Sequence, residues 1–382
     1  MPEGNSVLPI KIFSTSGSAD LADGITKELT KRLSAAHVIS RFGKVEAKRG
    51  VSEVQEFSNE NLQVRVENVR DCMAVVISTQ TPPVNQNLME LMMLMHALKN
   101  SRACDELLIF PYMPYSRSDR KNEAHISSGG VFIPQIFSGI LQVKRTLLLD
   151  PHDTHVKHYF EFGSMPAADE VTATFLVIDY IERSLPAWGW EKAETVIVFA
   201  DNGASTRFKD VPNRLGVGRA YIDKSRSDHS ENPTTHDVVG KVRDKHCIIF
   251  DDEILTGSTA IRDAESVSRS GARSIVMAAI HAPLIDKRID PETLIARLVD
   301  SCIERFILTD SIPCHDKVRG QSKFTVLSVA PLLAESIKRI ALGESLTALH
   351  DQASIDIYRT QMADRSQSVD TTRFAAAPAA PA

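Results

Sequence analysis

The stretch from Cys247 to Thr259, CIIFDDEILTGST, constrains the fold of this chain more than any other. Cys247 to Phe250 is a short apolar run, the mark of a strand buried on both faces in a parallel sheet. It ends on two adjacent carboxylates, Asp251 and Asp252. A turn of Thr256, Gly257, Ser258 and Thr259 follows, and then a helical run from Ala260 to Ser270. In an open α/β sheet, ligands gather beyond the carboxyl ends of strands, where the next helix begins with unpaired N–H groups. Those groups, three hydroxyls and a glycine that admits close backbone approach suit a phosphate. The two carboxylates one step earlier suit a vicinal pair of sugar hydroxyls. A phosphate and a diol a few ångströms apart describe a ribose 5-phosphate. An ordinary strand–turn–helix whose acids cap the helix is the plainer alternative.

The rest of the chain repeats the alternation of strand and helix. Strands are expected at Ile10–Phe13, Val64–Val66, Met73–Ser78, Leu107–Pro111 and Thr146–Asp150, then at Thr195–Ala200, Ser274–His281 and Arg305–Thr309. Leu21, Ile25, Leu29 and Leu33 recur every four residues, the inner stripe of a helix over 19–33. Helices are also expected at 87–99, 130–141, 173–183 and 291–300. The Met-rich 87–99 reads as core rather than as a cofactor site. This rhythm means an α/β fold with mostly parallel sheets flanked by helices. Polar clusters fall near 111, 150, 200, 250, 280 and 309, where strands end. The segment 351–382 turns polar and then Ala/Pro-rich, a composition that builds no core and is expected to be disordered.

At 382 residues there is enough chain for two domains, and no apolar run approaches the length of a membrane span. A net charge of −5 argues against nucleic-acid binding through bulk charge. The five cysteines, at 72, 104, 247, 302 and 314, are not spaced as a zinc or redox motif and read as reduced thiols of a cytoplasmic protein; the N-terminus shows no secretory signal.

The 247–259 stretch resembles the phosphoribosyl-diphosphate (PRPP) motif shared by type I phosphoribosyltransferases and PRPP synthetases. Asn87-Leu88-Met89-Glu90-Leu91, the run from Pro111 to Lys121, and Leu327 to Leu333 resemble further signatures of the ribose-phosphate pyrophosphokinase (PRPP synthetase) family, and the resemblance covers about 10–350. It implies two similar type I phosphoribosyltransferase-like domains. Residues 1–165 would form the first, completed by about 325–350, and 166–324 the second. It also implies transfer of the β,γ-diphosphoryl group of ATP to the 1-hydroxyl of ribose 5-phosphate, with Mg2+, in a homo-oligomer (dimer or hexamer).

Residue by residue, the resemblance implies that Lys224 and Arg226, in a polar loop running to Thr235, are transition-state cations. Arg117, Ser118, Arg120 and His152 would meet ATP, with Phe57, Asn59 and Asn61 supplied from a neighbouring copy. His152 and Asp201 would attend the metal. Asp251, Asp252, Thr256, Gly257, Ser258 and Thr259 would hold ribose 5-phosphate. No general base stands out. The chain departs from the family on the nucleotide side. Asn59 and Asn61 stand where the family has carboxylates, Ser118 where it has Gln, His155 where it has Gln, and Leu255 where many members have Asp. The segment 122–125 is short and lacks the family's Lys-Ser-Arg, which bears on allosteric control by ADP and phosphate. Two other readings stay open: a non-catalytic regulatory subunit of the same fold, and a variant using another nucleotide donor. A phosphoribosyltransferase is disfavoured by the signatures in the first half.

Overall fold

Strands apolar on both faces need cover on both sides, and the chain supplies it with two sheets that share one core. The computed structural model describes residues 7–36, 39–40, 43–79, 81–118, 125–223 and 237–350. In chain order the first half runs β1 (Val7–Ser14), α1 (Ala19–Ala36), β2 (Ile39–Ser40), β3 (Gly43–Arg49), β4 (Ser52–Glu56), β5 (Leu62–Val66), β6 (Met73–Ile77), α2 (Val84–Asn100), β7 (Asp105–Phe110), α3 (Gly129–Gln135), β8 (Arg145–Leu149) and β9 (Asp169–Val171). The second half runs α4 (Thr174–Trp188), β10 (Thr195–Phe199), α5 (Asn202–Arg207), α6 (Val211–Leu215), β11 (Gly218–Asp223), β12 (Asp237–Val239), β13 (His246–Glu253), α7 (Ser258–Arg269), β14 (Ser274–His281), α8 (Pro291–Val299), β15 (Arg305–Thr309), α9 (Asp316–Arg319), β16 (Phe324–Leu327) and α10 (Ala330–Leu342).

The first seven-stranded sheet has the order β2-β3-β1-β6-β7-β8-β9 and the second β12-β11-β10-β13-β14-β15-β16. All neighbours are parallel except the edge pairs β2–β3 and β11–β12. Each sheet therefore reverses its strand order beside its first strand, at β1/β6 and at β10/β13. β4 and β5 form a separate antiparallel hairpin. The first sheet ends with β9 at Val171 and the second with β16 at Leu327. The expected divisions at 165/166 and 324/325 therefore fall before the last strand of the first sheet and inside that of the second.

Side chains alternate along each strand. Ile10, Ile12, Val75, Ile77, Leu107 and Ile109 of the first sheet share one core with Ile197, Phe199, Ile248 and Phe250 of the second. The helices α1, α4 and α10 contribute to this shared layer, and the predicted stripe Leu21, Ile25, Leu29 and Leu33 lies in it. The ion pair Arg32 Nη1–Glu335 Oε2 (2.9 Å) ties α10 to α1, so the last helix returns to the first sheet. The outer face of the first sheet is covered by α2 through Leu88, Leu91, Leu94, Met95 and Leu98. The outer face of the second is covered by α7 and α8. The helix expected over 130–141 keeps α geometry only to Gln135 and continues as a π turn over Ile136–Ile140. Pro134 has no N–H for the preceding turn, and Leu141 N donates to Ile136 O at 2.9 Å, the wider spacing of a π helix.

Candidate active site

The reversal point of the second sheet carries the acids singled out in the sequence. β10 leads into Asp201, whose Oδ1 accepts from Ala204 N at 2.8 Å and caps α5. Its neighbour β13 runs further than the apolar stretch predicts. Asp251, Asp252 and Glu253 are still strand, because Asp251 and Glu253 pair with Ala279 and His281 of β14. The turn after it is pinned from behind: Leu284 N donates to Ile254 O (3.3 Å) and Ile285 N to Leu255 O (2.7 Å). Gly257 has φ +73°, and a Cβ there would stand 2.8 Å from Leu298 Cδ2, so this position needs glycine twice over. α7 starts at the next residue, which points its first N–H groups into the turn beside Thr256, Ser258 and Thr259.

The acids are crowded, and the crowd sorts them. Burial, with the charges of Asp252 and Asp201, raises the Asp251 carboxyl well above its ordinary value. Burial would raise Asp252 too, but His152 and Arg207 outweigh it and hold Asp252 down at about 2. His152 Nδ1 lies 2.5 Å from Asp252 Oδ2, and this hydrogen bond raises the imidazole above its usual value despite burial. Ile248, Phe250 and Asp252 share a parity on β13, which carries Asp252 to the side where the first half lies. Side by side at the end of β13, the two carboxyls offer oxygens that can accept from a pair of hydroxyls.

The first half closes over this point. His152 follows β8 through Asp150, a buried residue at φ +41° whose Oδ2 accepts from Ala173 N at 2.7 Å. Arg207 Nη2 donates to the carbonyls of Pro151 and His152, and its Nη1 lies 3.7 Å from Asp252 Oδ2. Arg117, beyond β7, pairs through Nε with Glu253 Oε1 at 2.5 Å. His281, buried at the end of β14, bridges the halves: Nε2 lies 2.9 Å from Asp150 O and Nδ1 2.9 Å from Ser311 Oγ.

The structure thus brings together His152, Asp201, Asp251, Asp252, Arg117 and the turn 256–259. It does not bring every expected residue there. Phe57, Asn59 and Asn61 form the tip of the β4–β5 hairpin, where Phe57 is 43% exposed. Asn61 N donates to Asn59 Oδ1 (3.3 Å) and Phe57 N to Asn61 O (2.9 Å), so the tip orders itself. Among the described residues no hydrogen bond or ring contact joins it to the acids. Ser118 braces its own loop, its carbonyl accepting from Gly130 N (2.9 Å) and Ser128 Oγ (3.0 Å). Arg120, Lys224, Arg226 and the tail 351–382 lie outside the described residues. Sequence reasoning missed Arg207, Glu253, Tyr112 and His281. The third acid in a row after a buried strand was a usable signal for Glu253.

Among the described residues no group of three or more His, Cys, Asp or Glu side chains is set to hold a metal ion. The donors suit instead a hard divalent cation that takes few protein ligands and fills its shell with water and phosphate oxygens. The mutual repulsion of Asp201, Asp251 and Asp252 is what such a cation would relieve.

Comparison with known proteins agrees with this geometry. The family model for the N-terminal domain of ribose phosphate pyrophosphokinase matches residues 10–132, and that for the phosphoribosyl synthetase-associated domain matches 227–351. Ribose-phosphate pyrophosphokinase 1 of Listeria innocua is 30% identical over 344 residues, covering 90% of this chain and 97% of its own. The Haemophilus ducreyi ribose-phosphate pyrophosphokinase is 29% identical over 333 residues, covering 86% of this chain and 98% of its own. The crystal structure of phosphoribosylpyrophosphate synthetase from Mycobacterium smegmatis superposes with a TM-score of 0.73 at 27% identity, covering 87% of this chain and 98% of that one. The similarity spans both sheets and nearly the whole length of each relative, and the chain belongs to the ribose-phosphate pyrophosphokinase family.

Proposed function

We propose that this protein is a ribose-phosphate diphosphokinase, moving the diphosphoryl group of ATP to the 1-hydroxyl of ribose 5-phosphate to give PRPP and AMP. One observation carries the reading: Asp251, Asp252 with His152 bonded to it, and the start of α7 meet at the reversal point of the second sheet. The 5-phosphate rests on the N–H groups and hydroxyls of 256–259, and Asp251 and Asp252 engage the ribose hydroxyls. Arg117 and His152 approach from the first half, on the side where the nucleotide phosphates belong. Transfer of a diphosphoryl group spreads negative charge over bridging and terminal oxygens, so positioned cations supply most of the catalysis. Lys224 and Arg226 are assigned that part, with Arg120 on the ATP side.

Magnesium is the cation that fits best. Asp201, together with the His152 nitrogen not held by Asp252, would hold it, and when bound it would neutralise phosphate charge. The reading includes a homo-oligomer, dimer or hexamer. The exposed Phe57, on a hairpin tip away from the acids, supports it, since a neighbouring copy would bring that ring, Asn59 and Asn61 to the adenine. Five free cysteines support a cytoplasmic setting, and among the described residues no helix is long and apolar enough to cross a membrane.

Phosphorus NMR of ATP, magnesium and ribose 5-phosphate tests the reaction. Two linked phosphates should appear on the sugar as AMP accumulates. ADP and a sugar carrying one new phosphate would contradict diphosphoryl transfer. GTP and CTP, run alongside, show whether Asn59, Asn61 and Ser118 change the donor.

A further inference from the structure

The PRPP-like motif uses two acids, yet this chain carries a third, Glu253, and its side chain is only 1% exposed. A buried carboxylate is costly unless its oxygens are engaged. Both face the other half of the molecule. Oε2 accepts from the Tyr112 hydroxyl at 3.0 Å, whereas Oε1 is ion-paired with Arg117 Nε at 2.5 Å without hydrogen-bond geometry. The Tyr112 ring is itself held 5.1 Å from the ring of His281. Burial and the Glu253 charge push the Tyr112 hydroxyl well above its ordinary value, so it stays a donor. Burial raises Glu253 as well, and Arg117 opposes that.

Arg117 is 52% exposed, and among the described residues Glu253 is its one ion-pair partner. A guanidinium drawn at its Nε side toward a buried carboxylate is biased in orientation, while its terminal N–H groups remain available for a bidentate contact. We infer that Glu253 is a positioning residue for nucleotide binding: reaching across the boundary between the two halves, it sets the Arg117 guanidinium for the phosphates of the donor nucleotide. This rests on the diphosphokinase reading. It adds that the sugar-binding strand β13 also orders the nucleotide side, so both substrates depend on one strand end.

The test is a double-mutant cycle of Glu253→Gln and Arg117→Ala, read by steady-state kinetics and by calorimetric binding of magnesium–ATP. Glu253→Gln keeps the shape and an acceptor for Tyr112 but loses the charge. It should raise KM and Kd for ATP roughly tenfold, with kcat within about threefold and KM for ribose 5-phosphate unchanged. In the Arg117→Ala background it should add little, because the residue it positions is gone. Glu253→Asp should recover part of the loss. Additive losses in the cycle, equal losses for both substrates, or no change in ATP binding would overturn the inference. If the wild type binds ATP with the expected coupling but turns nothing over, the reaction assignment fails and the positioning role stands. If turnover is normal and the cycle is additive, the positioning role fails alone. A wild type that binds no ATP overturns both.

Discussion

The two sheets are built alike and used differently. Each places its first strand beside the point where the order reverses, and each ends two parallel strands there. In the second sheet that point holds Asp201, Asp251 and Asp252 in front of the start of α7. In the first, side chains tie the strand ends to one another, with Ser16 N and Oγ donating to Glu90 Oε1 at 2.7 and 3.0 Å. Thr15 Oγ1 lies 3.2 Å from Ser78 Oγ and 3.3 Å from Ser18 Oγ, Thr79 N donates to Ser18 Oγ (2.8 Å), and Thr79 Oγ1 donates to Ser311 O (2.7 Å). Hydroxyls and one carboxylate that bond one another are satisfied, whereas carboxylates crowded together repel. One scaffold thus yields a joint tied by hydroxyls in one half and a cluster of acids in the other. Architecture alone does not assign function.

The contrast can be broken at its strongest point first. Lys224→Ala should cut kcat about a thousandfold while KM for both substrates stays within about threefold, as for a contact made in the transition state. A comparable loss in substrate binding with kcat intact would remove that role. Asp252→Asn should lower kcat/KM for ribose 5-phosphate several hundredfold, since it removes the charge that pairs with His152 and that the proposed ribose contact needs. An effect below about fivefold would mean the second reversal point is no more chemical than the first.

The joint between the sheets gives a prediction in pH. Burial holds His281 at about 4 in the folded protein, below its ordinary 6.5. Its depressed value means that stability is intact above pH 6.5 and is lost as pH falls from 6.5 toward 4. Denaturant unfolding at pH 7.5 and 4.5 should show the wild type losing about 2–3 kcal/mol more than His281→Gln. Burial raises Asp150 to about 6, which gives the opposite slope, but it is present in both proteins and cancels in the difference. Equal losses would mean that His281 is not held neutral. The smallest effect belongs to the first reversal point. Thr79→Val should cost about 1–2 kcal/mol, by leaving the Ser311 carbonyl unpaired, with turnover within twofold. A large loss of turnover would show that the joint is more than packing.

What could be read from the sequence follows the reach of each signal. The acids and the 256–259 turn were legible because strand, turn and helix start lie within thirteen consecutive residues, Cys247 to Thr259. The α/β class was legible from repeated apolar runs, although short or charged strands such as β3, β4 and β12 gave no such mark. The extension of β13 through Glu253 was hidden because the residues of β14 that pair with it lie 28 positions on in the chain, Glu253 opposite His281. Arg207 acts on the carbonyls of Pro151 and His152, and His281 on Asp150; these contacts exist only once the two sheets pack. Ser118 sits in the basic segment that its neighbours marked, yet its backbone carbonyl serves its own loop.

The most direct measurement is AMP release from magnesium–ATP with and without ribose 5-phosphate, in the wild type and in Asp252→Asn. AMP that forms only with the sugar, and falls several hundredfold in the variant, is the predicted result. AMP release that ignores the sugar, or an Asp252→Asn protein as active as the wild type, would contradict the claim that the second reversal point is the ribose-phosphate site.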